Sequence, residues 1–245
     1  MFSTSSAEIS ERQPASDHPP DYSGSHLSIR PRYICLSLNR TDTLRLINCL
    51  TPTVERVRQT ILVHWPRGFQ NERTYHGAHE FQLKGNPWRG EGSDAVPSRQ
   101  LMCQLLADFH HDGWVLVGST DVSKKVDDKD CLFFRTGTIP SAKAHFFTVS
   151  FNEYDKIRLI GSSDETIHAV RRMLGAHRIQ NEQWLFPDAV YEGYLWLAAG
   201  SETVAARLLL LQLLDVLAAA GYELHAAVDM SCGMDIDTWF MRKDL

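Results

Sequence analysis

The sequence predicts an α+β protein made of two copies of one β-β-α-β-α-β-β unit. Helices pack on a mixed or mostly antiparallel sheet, and the halves are expected to be pseudo-two-fold related. Three observations predict this. First, Asp42, Leu44, Arg45, Leu46 and Ile47 recur as Asp155, Ile157, Arg158, Leu159 and Ile160 at an offset of 113 (155 − 42). Gly113-Trp114, Asp121 and Ser123 recur as Gly221-Tyr222, Asp229 and Ser231 at an offset of 108 (221 − 113). A period this long is the size of a small domain, not of a solenoid repeat. Second, strand patterns outnumber helical ones and several are joined as hairpins, which favours helices covering one face of a sheet. Third, the connection from Thr136 to Lys143 contains Gly137 and Pro140 and is too short to leave two independent beads. The expected organisation is a tail over residues 1–31, a first repeat over 32–136 and a second over 144–245, docked into one body.

The elements follow in order. Tyr33 to Asn39 alternates apolar and polar residues, Thr43 to Asn48 is rich in β-formers, and Arg40 to Asp42 is the turn of a hairpin. Thr51 offers an N-cap hydroxyl before Pro52, where a missing N–H costs nothing, and Val54, Val57, Ile61 and Leu62 form one apolar stripe. The second copy repeats this helix with Asp164 as cap and Ile167, Val170 and Leu174 as stripe. His79 to Lys84 alternates as a strand, and Gly85-Asn86-Pro87 stops it. Ser98 can cap a second helix, buried through Leu101, Met102, Leu105, Leu106 and Phe109 and closed at Gly113; Ser201 and Gly221 take those parts in the second copy. Trp114 to Thr120 and Asp130 to Arg135 are closing strands, matched by Tyr222 to Val228 and Asp237 to Arg242.

Val204 to Ala220 approaches the length of about 20 apolar residues that spans a bilayer. Arg207, Gln212 and Asp215 interrupt it, and its counterpart, Arg99 to His111, has the polar face of a helix in water. It is expected to be a buried core helix, with no membrane partner.

Composition places the chain among ordinary globular proteins: 245 residues, 43% hydrophobic and 22% charged. A net charge of −5, with no basic run longer than two residues, leaves no footprint for a phosphate backbone and argues against nucleic acid. Five scattered cysteines without a Cys-x-x-Cys pair fit neither a disulfide framework nor a zinc ribbon, so a reduced, cytoplasmic chain is expected, with the nucleus left open. The tail is rich in Ser and Pro and nearly devoid of large aliphatics, so disorder is expected there. Glu8, Glu11, Asp17 and Asp21 argue against a transit peptide.

The candidate ligand-binding residues are Asp121, Ser123 and Arg99 with their counterparts Asp229, Ser231 and Arg207. A carboxylate and a hydroxyl two positions apart at a strand end point the same way and could orient a ligand; Asp and Ser also commonly turn a chain. Arg99 and Arg207 sit near helix starts, against the dipole, where a planar fork could anchor an anion or pair with a nearby Asp. His76-Gly-Ala-His79-Glu80 lacks the i, i+4 helical spacing of a zinc site and has no counterpart in the second copy, so no metal is expected. His110-His111 suits a helix C-terminus. The aromatics Trp65, Phe69, Tyr75, Phe81 and Trp88 have a corresponding belt, Trp184, Phe186, Tyr191, Tyr194 and Trp196, in the second copy; core packing is the plainer account, a groove lined by both belts the functional one.

Phosphate-binding glycine loops, a nucleophile elbow and the kinase signatures are all absent from the sequence. The leading expectation is an intracellular, non-enzymatic interaction or ligand-binding protein with a protein or small-molecule partner and no cofactor. The alternative is an enzyme at the interface of the halves, with Asp121 and Asp229 as acid–base carboxylates and Arg99 and Arg207 as anion anchors. A self-pairing structural subunit is the third reading.

Overall fold

The computed structural model describes residues 30–90, 92–122, 129–152, 156–185, 188–192, 202–230 and 237–245. The expected disordered tail, the Ser201 cap and the aromatics Phe186, Tyr194 and Trp196 lie outside the described residues.

The first unit runs β1 (Tyr33–Asn39), β2 (Thr43–Ile47), α1 (Thr51–His64), β3 (Phe69–Tyr75), β4 (Ala78–Leu83), α2 (Ala95–His111), β5 (Trp114–Thr120) and β6 (Cys131–Thr136). The second runs β7 (Ala144–Asn152), β8 (Lys156–Ile160), α3 (Asp164–Leu174), β9 (Asn181–Leu185), β10 (Asp188–Glu192), α4 (Glu202–Ala219), β11 (Glu223–Val228) and β12 (Thr238–Asp244). Each unit forms a six-stranded sheet, β3-β4-β2-β1-β6-β5 and β11-β12-β7-β8-β10-β9, which are the same order read from opposite ends. Every described strand pairing is antiparallel. The duplicated α+β architecture is therefore as expected, with one strand more per unit. The strand missed in the first copy is β3, whose Gln70, Asn71, Glu72 and Arg73 show no apolar alternation because it is a sheet edge.

Helix starts differ from expectation by a few residues. Thr51 is already helical, after a Leu50 N-cap that makes no side-chain bond. Ser163, not Asp164, caps α3, its Oγ accepting the Thr166 N–H at 3.3 Å. Ser98 lies inside α2, fully buried and donating to the Ala95 carbonyl at 3.1 Å. The helix begins earlier because Pro97 fits its first turn, and Asp94 pins the preceding loop through the Asn86 N–H at 3.1 Å and Arg67 at 3.0 Å. The stops are as expected: Gly113 and Gly221 take φ of +76° and +87°.

Strand alternation sorts each sheet into two faces. Ile34, Leu36, Leu38, Leu44, Leu46, Leu132 and Phe134 point towards α1 and α2, and their counterparts Phe147, Val149, Phe151, Ile157, Leu159 and Met241 pack with α3 and α4. Trp65, Phe81 and Trp88 are core residues, so these belt aromatics pack rather than line a groove; Trp88 Nε1 also donates to the Thr43 carbonyl at 2.9 Å. The back of the second sheet is covered as well. Phe146, Ala226, Val228 and Phe240 join the first unit's core. The cover is α2: Arg99 Nε donates to Thr238 Oγ1 at 3.2 Å, and the His110 ring packs on Phe146 with centroids 5.8 Å apart. So α2 lies between the two sheets, and the layers run first sheet, α1 and α2, second sheet, α3 and α4.

This stacking replaces the expected two-fold. A two-fold axis would lay α4 on the back of the first sheet as α2 lies on the back of the second, and both sheets would be covered alike. Instead Tyr33 (46% exposed) and Ile47 (43%) are open where their counterparts Phe146 (8%) and Ile160 (2%) are covered. The units are related head to tail, a heterologous arrangement. Their sheets touch along β5 and β11, where Ser119 Oγ donates to the Ala227 carbonyl at 2.6 Å.

Candidate functional site

The tails of the two units converge at this junction. Lys129 and Asp130 extend the ladder of β6 onto β1, exchanging backbone bonds with Leu38 at 3.2 Å each way. Both side chains reach the second unit at Asp229. The buried Lys129 Nζ lies 3.3 Å from Asp229 Oδ2, and the Asp229 N–H donates to Asp130 Oδ2 at 2.9 Å. Burial raises the pKa of Asp130, the Asp229 N–H opposes this, and the negative charges of Asp237, Asp229 and Asp121 push it further up. Asp237 is raised by burial and by Asp229. Four aspartates thus share one electrostatic neighbourhood with a lysine in it. Of the matched positions, Asp121 and Asp229 belong to it; Ser123 and Ser231 lie outside the described residues.

The arginines do not join them. Arg99 is 1% exposed and donates to the carbonyls of Gly90 (3.1 Å) and Ala95 (2.9 Å) as well as to Thr238. Arg207 stands on the outer side of α4, exposed, donating to the Thr203 carbonyl at 2.9 Å. The second sheet separates them, so the proposed pair of anion anchors is not one site. The expected Asp121 with Arg99 ion pair is replaced by these carbonyl and hydroxyl bonds.

Beside the aspartates, Cys35 and Cys131 sit diagonally across β1 and β6 on the back of the first sheet. The Cys131 thiol donates to Ser37 Oγ at 3.3 Å. A hydrogen bond from Cys35 favours the Cys131 thiolate and brings its pKa down to about 6, while the Cys35 thiol is driven up. His79, one of the two histidines weighed as a metal pair, instead bonds Glu72 at 2.6 Å. Among the described residues no group of three or more His, Cys, Asp and Glu side chains is placed to hold a metal ion.

Two clefts flank α2 where it meets the second sheet. One, about 560 Å³, is lined by His64, Gln100, Cys103, Gln104, His145 and Ile160. The other, about 440 Å³, is lined by His110, Trp114, Leu116, Glu223, His225 and Arg242. In the second, Arg242 pairs with Glu223 at 2.5 Å and Asp244 at 3.3 Å. Burial first, then the Arg242 charge, lowers the pKa of His225 to about 4. Its ordinary value is 6.5, so on acidification the unfolded chain takes up this proton first. The stability held above pH 6.5 is therefore lost between about pH 6.5 and 4, by roughly 3 kcal/mol for this group. Asp130 and Asp237, with raised values, have the opposite sign and do not contribute to that loss. His110 and His145, also lowered by burial, add to the loss with the same sign; urea titrations across this window are expected to show the fall and His225→Gln to make it shallower, and an equally steep fall in the variant would place its origin elsewhere.

The feature that sequence reasoning missed is on α4. Val204, Leu208 and Leu211 are 59%, 53% and 57% exposed and fall at i, i+4, i+7 on one side of the helix. The helix expected to be buried thus buries only one side, through Leu209, Leu213 and Leu217. The signal was present in the offset of 108, which pairs Leu208 and Leu211 with Gln100 and Cys103: the outer side is apolar in α4 and mixed in α2. No helix among the described residues is long and apolar enough to cross a membrane.

One domain-family model matches the chain twice, over residues 32–135 and again over 145–242. The chain belongs to that family and carries its domain as a tandem pair. No curated protein and no solved structure matches it.

Proposed function

We propose that this is a soluble, intracellular, non-catalytic interaction protein whose partner is a protein that docks on the outer side of α4. The observation carrying this reading is the stripe of Val204, Leu208 and Leu211, three large apolar side chains each more than half exposed on a helix whose counterpart in the first unit is covered on both sides. Contiguous exposed apolar surface marks interaction sites because leaving it in water has no compensating gain for a monomer. The acid–base alternative ranks second, because Lys129 already lies against Asp229 and the Asp229 N–H against Asp130. These contacts serve to join the units. A paired recovery from cell extract tests the reading: wild-type protein is expected to retain partner proteins that Leu208→Glu/Leu211→Glu loses, at unchanged thermal stability. Identical recoveries from both would remove α4 as the docking face.

A further inference from the structure

The molecule contains a worked example of how its units dock. On the back of the second sheet, Phe146, Ile160 and Phe240 are 8%, 2% and 0% exposed beneath α2. The back of the first sheet repeats this surface. Ser37, Asn39, Arg45 and Ile47 stand where the second sheet has Ser150, Asn152, Arg158 and Ile160, and Tyr33 and Phe133 stand where it has Phe146 and Phe240. Even a local bond recurs, with Asn39 bonded to Ser37 Oγ at 2.8 Å and Ser150 to Asn152 at 2.5 Å. Yet Tyr33 and Ile47 are 46% and 43% exposed and Phe133 is partly so. Cys35, Ser37, Asn39 and Cys131 of the same face are buried, so the open part is the end of the face carrying Tyr33, Ile47 and Phe133.

The complementary face is open too. Met102 and Leu106 of α2 are fully buried, whereas their α4 counterparts Leu210 and Leu214 are only partly buried and Leu211 is 57% exposed. Each chain therefore has one occupied helix-on-sheet contact inside it, an open side of α4 at one end and a partly open sheet face at the other.

We propose that a second copy of this chain docks head to tail, its α4 lying across the back of the first sheet as α2 lies across the back of the second. This deepens the reading above and rests on α4 being a docking face. Charge supports the choice of occupant. At the internal contact Ala107 and Lys143 line one small cleft; the equivalent of Ala107 on α4 is Asp215, and the equivalents of Lys143 and His145 on the first unit are Arg30 and Arg32. Asp215 is exposed on α4 and Arg32 is exposed beside Tyr33, so superposing the internal contact on a second chain brings an acid to a base. Heterologous contacts of this kind close into rings or continue as open chains.

Sedimentation velocity of the full chain over a wide concentration range tests this. Wild-type protein is expected to gain mass above the monomer as concentration rises. Leu208→Glu/Leu211→Glu, which spoils the helix face, and Tyr33→Glu/Ile47→Glu, which spoils the sheet face, are each expected to associate at least about tenfold more weakly while unfolding at the wild-type temperature. Mixing the two variants is the decisive arm, because each keeps the face that the other lacks. The mixture is expected to form a one-to-one pair that grows no further. A wild-type chain that stays monomeric, or a mixture that stays monomeric, overturns the proposal. If extract partners are still lost from the α4 variant in that case, docking on α4 by a different protein stands and only self-docking falls.

Discussion

Replacing Arg99 with Ala is expected to cost about 3–5 kcal/mol of stability, the sum of acceptors left short of a donor, at about 1–3 kcal/mol each, and of the cavity left by a fully buried side chain. Its guanidinium serves the carbonyls of Gly90 and Ala95 within the first unit and Thr238 in the second. Truncation removes this donor from the Gly90 carbonyl and Thr238 Oγ1 inside the protein, while the Ala95 carbonyl keeps the Ser98 hydroxyl. Arg99→Lys restores only part of the loss, since a single ammonium cannot span three acceptors as the planar fork does. Arg207→Ala, at the equivalent but exposed position, is expected to fall within about 0.5 kcal/mol of wild type. Urea titration of the three variants measures this, and similar costs at Arg99 and Arg207 would contradict the buried role of Arg99.

The second large effect separates the two relations that the halves could have. Phe240 is fully buried on the back of the second sheet, under α2, and Phe133 holds the same position on the partly open back of the first. Phe240→Ala is expected to cost about 3–5 kcal/mol through lost burial and a residual cavity. Phe133→Ala is expected to cost about 1 kcal/mol, because water already reaches that side chain. Two-fold related halves would make the two costs equal. Denaturant midpoints at low protein concentration, where chains are separate, measure the difference directly.

Much of the fold was legible because core faces tolerate little drift. Leu44 and Leu46 reappear as Ile157 and Leu159, and the glycines that must take positive φ reappear at both helix ends. β3 was not legible, since a strand whose residues Gln70 to Arg73 face water carries no alternation and is specified by its pairing with β4. The start of α2 was misplaced because its cap lies in loop contacts of Asp94, which depend on Arg67, far away in sequence. The head-to-tail stacking was hidden for a different reason. Periodicity marks which side of α2 is apolar, but not that a second sheet covers the remainder. For the candidate site, the repeat picks out Asp121 and Asp229 from the sequence, but the contact of Asp229 with Lys129 depends on how the units dock.

The placement of α2 between the sheets changes what dilution can do. Its contact with the second sheet resembles an association of two molecules, yet residues 137–143 tether the partners, and the tether itself is tied down by the Gly137 N–H to Gly113 carbonyl bond at 2.8 Å. Short tethers hold their ends at effective concentrations on the order of millimolar. That contact is thus insensitive to how much protein a cell makes, while any contact at the outer face of α4 varies with abundance. One polypeptide carries the same kind of joint in two forms, one constitutive and one set by mass action.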